Sequence, residues 1–148
     1  MCLGVFLASE FELPEVAWSP ARPGFSVAPI SEYEEPVRRQ FSRSRVYYLG
    51  SHTRCGCGFS ADEEGEPAER RRSLEALAAY VSAARERGLV ELFVCWEGDY
   101  AAEPERRLRL EARDLARRDD WLAELSFVEI AAPGGNPATA FDPRLEVP

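Results

Sequence analysis

The residues of this chain best suited to chemistry lie in SHTRCGCGFS, positions 51–60. The stretch holds the single histidine, His52, and two of the four cysteines, Cys55 and Cys57, interleaved with Gly56 and Gly58. Thiolate and imidazole are the ligands zinc prefers, and a closed zinc site takes four of them in a tetrahedron. His52, Cys55 and Cys57 supply three, and Cys2 is the expected fourth, ahead of Cys95. Cys95 lies in the apolar run LFVCW, where a cysteine behaves as a small buried hydrophobe. The interleaved glycines let the loop curl around an ion. Such a donor set favours zinc over magnesium or calcium, which bind oxygen.

The same loop supports a second chemistry. One thiol would be a nucleophile and His52, three residues from Cys55, its base. Between Pro36 and Ala61 stand Arg38, Arg39, Arg43, Arg45 and Arg54 with no acidic residue, a local charge of +5 that leaves −13 on the rest. Guanidinium groups near a thiol favour its thiolate, and glycine-permitted backbone amides can hold an anion. A thiol-dependent enzyme acting on a small anionic substrate is therefore the alternative to a small metal-binding protein whose site serves structure or interaction. The opening Met1-Cys2 resembles that of class II glutamine amidotransferases, whose chains begin Met-Cys-Gly. Leu3 replaces that glycine, and the two-residue likeness transfers no role. A third class, an acidic adaptor or inhibitor of a basic protein partner, follows from the net charge of −8 alone.

Composition narrows the field. All the basic residues are arginine, so Schiff-base lysines, a P-loop lysine and a Ser-Lys dyad are excluded. No G-x-G-x-x-G, G-x-S-x-G or H-E-x-x-H pattern occurs. A charge of −8 disfavours nucleic acid and anionic membranes as partners. The N-terminal run has no basic start and falls short of the roughly 20 apolar residues of a membrane span. A cytoplasmic protein with reduced thiols is expected.

The elements that must position the loop follow from periodicity. Residues 3–8 and 46–49 read as strands, and 25–30 as a weaker one because of Pro29. Ser31 and Glu34 have capping-box spacing, but Pro36 suits the first turn of a short helix to Phe41 better. Leu74, Leu77, Ala78, Val81 and Ala84 form the apolar stripe of a helix over 68–87, with Pro67 before it and Gly88 after it. LVELFVCW, 89–96, is a buried strand, and Leu108 and Leu110 alternate with charge as an edge strand does. A short helix over 112–118 and a strand over 126–130 complete the pattern.

The expected fold is α/β or α+β, one domain over 1–131 with a mixed sheet of about five strands and the long helix on one face. Residues 132–148 form a turn-rich tail. Strand, long helix, strand makes a parallel crossover of 46–49 and 89–96. If strand 3–8 runs antiparallel to both, its start joins their C-terminal ends at one rim, where ligand sites of open sheets gather. That rim would collect all four cysteines and His52. Glu97 and Asp99 stand beside it, in what reads as a solvated turn.

Overall fold

A computed structural model of the chain describes residues 2–61 and 66–134. Six strands form one mixed sheet in the order β2-β3-β1-β4-β6-β5. They are β1 Leu3–Ser9, β2 Ser26–Pro29, β3 Arg45–Gly50, β4 Val90–Trp96, β5 Arg106–Glu111 and β6 Ser126–Ala131. One long helix, α1 Pro67–Arg87, packs on a face. The architecture is α+β, with six strands where about five are expected.

The additional strand is the weak one. β2 sits at an edge of the sheet, where Pro29 costs no ladder hydrogen bond. β5 takes the other edge, parallel to β6, and its alternation of leucine and charge fits one covered and one wet face. Pro36 does not begin the short helix. The element there is a 3-10 helix, Glu32–Gln40, and Pro36 lies inside it. The Glu34 side chain reaches back to accept the Ser31 backbone N–H at 2.8 Å, half of the capping box legible in the sequence. The tail beyond residue 134 lies outside the described residues.

β1 runs antiparallel to both β3 and β4, so these two are parallel, as the crossover through α1 requires. They are not neighbours, because β1 lies between them. All seven residues of β1 are buried, and alternation divides them between two cores. Leu3, Val5 and Leu7 pack with Leu74, Leu77 and Val81 of α1. Phe6 and Ala8 join Val37, Phe93, Cys95, Tyr100 and Phe127 on the opposite face. Each fully buried leucine or valine of the α1 stripe contributes about 1.5–3 kcal/mol.

The register pairs Leu3 with Trp96, the last residue of β4. The first residues of β1 therefore meet the final residues of β3 and β4 at one rim. No helix among the described residues is long and apolar enough to cross a membrane.

Leu77 is fully buried beneath α1, whereas Glu86 is exposed on the same helix. Leu77→Ala is expected to cost about 2–5 kcal/mol in urea denaturation, and Glu86→Ala no more than about 0.5 kcal/mol. Equal costs would contradict the packing described.

Candidate metal centre and adjoining cavity

β3 ends at Gly50, and the chain turns back on itself at once. Ser51 N–H and Ser51 Oγ both donate to the Cys55 carbonyl, at 2.9 and 2.6 Å, and Arg54 takes a left-handed φ of 76°. A short 3-10 helix, Gly56–Phe59, follows. A side chain at Gly56 could not be accommodated, since a Cβ there would lie 2.6 Å from the Leu3 carbonyl oxygen. Glycine lets the loop rest directly on the start of β1. Phe59, fully buried, anchors the far end of the loop in the core, and Arg70 Nε of α1 donates to its carbonyl at 3.1 Å.

This seating brings Cys55 and Cys57 to Cys2. Their sulfurs lie within 4.8 Å of one another, and the three thiols together could hold a metal ion. The Leu3 backbone N–H donates to Cys57 Sγ at 3.2 Å, which ties the loop thiol to the first residue of β1. Beyond the sulfurs, Glu97 N–H donates to the Cys2 carbonyl at 2.8 Å and closes the rim against the turn after β4.

His52 and Cys95, both weighed from the sequence as ligands, stand apart from this cluster. The His52 backbone N–H donates to Ser73 Oγ of α1 at 3.0 Å, and Nδ1 lies 3.0 Å from the same oxygen. The other ring nitrogen, Nε2, lies 3.7 Å from Glu69 of the same helix. Both ring nitrogens thus have partners on α1. Cys95 is buried in the core on the other face, as its apolar neighbours foretold. All four cysteines are free thiols.

The thiols differ in acidity. Burial opposes ionisation of Cys55, but bonds from the Cys57 backbone N–H, Thr53 and the Cys57 and Cys2 thiols outweigh it, and its pKa falls below the ordinary value. The charge on Cys55 and the hydrogen bond to it hold Cys2 up. Burial pushes Cys57 up to about 11 and Cys95 to about 12. The acidity of the cluster is centred on Cys55. Its source differs from that expected, because none of the arginines of 36–61 is among the causes. Arg38 pairs with Glu35, Arg43 with Glu10, and Arg54 stacks on Trp18.

Beside Cys2 and Cys55 opens a cavity of about 140 Å³, lined also by Glu34, Glu97, Phe6, Tyr48 and Tyr100. Glu97 was legible as a carboxylate near the rim. Glu34, Tyr48 and Tyr100 carried no signal, since each comes from a different segment and reads locally as a cap, a strand residue and a turn residue.

Three outcomes follow for the metal-free protein. A limiting alkylating reagent near neutral pH is expected to mark Cys55 first, with Cys57 and Cys95 slow, read by peptide mass spectrometry. Ser73→Ala should cost about 1–3 kcal/mol by stranding His52, while leaving that order of alkylation intact. Because folding raises the pKa of Cys57 and Cys95, their contribution is complete below the ordinary thiol range, near about 8.5, and fades as pH climbs through it towards 11–12. The melting temperature should fall over that window, and a rise would refute the assignment. Comparison of the chain with protein families, with curated proteins and with solved structures returns no match, so its chemistry rests on the geometry of the site itself.

Proposed function

We propose that this is a metal-binding protein whose ion, zinc, is held by the thiolates of Cys2, Cys55 and Cys57. The observation that carries the reading is the convergence of three sulfurs from two separate segments to within 4.8 Å. Zinc–sulfur bonds of about 2.3 Å place tetrahedral sulfurs about 3.8 Å apart, so only small side-chain movements are needed. Thiolate donors select zinc over oxygen-seeking cations. The ion would replace the protons that Cys2 and Cys57 retain in the free cluster. It would also bind the start of β1 to the loop after β3, a link of long sequence separation that stabilises the fold.

The donor set expected from the sequence also includes His52, which is not among the three converging sulfur ligands. His52 would have to give up Ser73 and leave Glu69 to reach the ion. Cys2 and Cys55 line the cavity, so water or a small ligand there fills the fourth position instead. Zinc sites with three protein ligands and an open position are the ones that engage a ligand or substrate, whereas purely structural sites are closed.

A specific observation favours one competing reading, thiol catalysis: Cys55 is both the most acidic thiol of the cluster and part of the cavity wall. The two readings separate in one preparation. A metal protein carries close to one equivalent of zinc by elemental analysis, and acid or a chelator releases it with a fall in melting temperature. Cys2→Ser, Cys55→Ser and Cys57→Ser should each lose the metal, while Cys95→Ser and His52→Ala keep it. A thiol enzyme would arrive metal-free with Cys55 rapidly alkylated. Retention of full zinc by the Cys57→Ser protein would reject the three-thiolate site.

A further inference from the structure

The cavity beside the thiols has a composition that selects its occupant. Among the described residues its lining holds two carboxylates, Glu34 and Glu97, and no basic side chain. Three of its walls are aromatic, and their rings meet edge to face. Phe6 stands 5.5 Å from Tyr48 at 73° and 5.8 Å from Tyr100 at 89°. Tyr33, the most exposed large hydrophobic residue among those described, extends the set by lying across Tyr100 at 5.7 Å and 87°. Aromatic faces and carboxylates attract the same kind of ligand, a cation with apolar bulk.

We propose that this cavity binds a small organic cation, an alkylated ammonium of about five to seven non-hydrogen atoms, against the Cys55 face of the thiol cluster. Size sets the upper bound. A volume of about 140 Å³ is close to the roughly 150 Å³ of an engineered cavity that takes up benzene. Charge sets the sign, and it does so whether or not a metal is present. In the free protein the carboxylates of Glu34 and Glu97 in the lining set it, and three thiolates around a divalent ion would add one further negative charge. The site is anionic in both states, so the inference does not rest on the zinc reading.

Other occupants fit less well. Calcium wants six to eight oxygens and magnesium a near-ideal octahedron, whereas much of this lining is ring carbon and sulfur. A small anion, the substrate class suggested by the arginine-rich stretch, would meet only like charge here. Glu97 and Cys2 are exposed, so the mouth is open to solvent.

Choline and its uncharged isostere 3,3-dimethylbutan-1-ol, with acetate as the anion, distinguish the cases by calorimetric or NMR titration of metal-free and zinc-loaded protein. Choline is expected to saturate one site in both forms and to bind about tenfold or more tighter than the isostere. Glu97→Gln and Glu34→Gln should each weaken choline about threefold to tenfold, and Glu86→Gln not at all. Both cavity variants keep the fold within reach, because Glu97 is exposed and glutamine can still accept the Ser31 N–H. Equal binding of choline and the isostere would reduce the site to an apolar hole and overturn the proposal. So would preference for acetate, or no saturable choline binding in either form. A protein that is isolated without metal and takes up no added zinc, yet binds choline, would sink the zinc reading and leave this one standing.

Discussion

The structure depends on the placement of β1. A strand buried over its whole length, hydrogen-bonded antiparallel on both sides, cannot be displaced without opening both cores at once. Its direction has a chemical consequence. Because β3 and β4 run the opposite way, Cys2 and the first residues of β1 are delivered to the rim where both of those strands end. Cys2 owes its place at the site to this antiparallel pairing and to nothing in its immediate neighbours.

The loop after β3 is fitted to that rim by a few close contacts. Glycine at 56 removes the side chain that would collide with the Leu3 carbonyl, and Phe59 fixes the far end in the core. Ser51 holds the turn through the Cys55 carbonyl. Between these anchors Cys55 and Cys57 have little freedom, so their approach to Cys2 is largely organised before any ligand arrives. Preorganisation of this kind reduces the entropy lost on coordination. His52 illustrates the opposite case. Its backbone and ring are both engaged by Ser73, and the residue serves to tie the loop to α1.

Thiol acidity here is a matter of hydrogen bonding at close range. Three of the five arginines of the surrounding stretch, Arg38, Arg43 and Arg54, are spent on carboxylates, on a backbone carbonyl and on an indole ring. One thiolate is instead stabilised by its neighbouring thiols, a backbone N–H and a hydroxyl. The carboxylates of Glu34 and Glu97 then set the sign of the cavity, and the +5 of the linear stretch has no counterpart in its lining.

Periodicity and breakers in the sequence determined the long helix, the buried strands before and after it, the charged edge strand and the burial of Cys95. These rest on interactions within one element or on the solvent preference of single residues, which local order encodes. The loop was legible as a site because glycine and cysteine alternate there and because Cys2 stood at the start of a strand. Tertiary structure decided the rest. Whether Cys2 or His52 meets the loop thiols depends on strand direction and on a serine 21 residues further along the chain. The cavity exists only where the capping glutamate of one element, the turn tyrosine of another and two strands come together. No run of sequence contains it, because packing across long separations creates it.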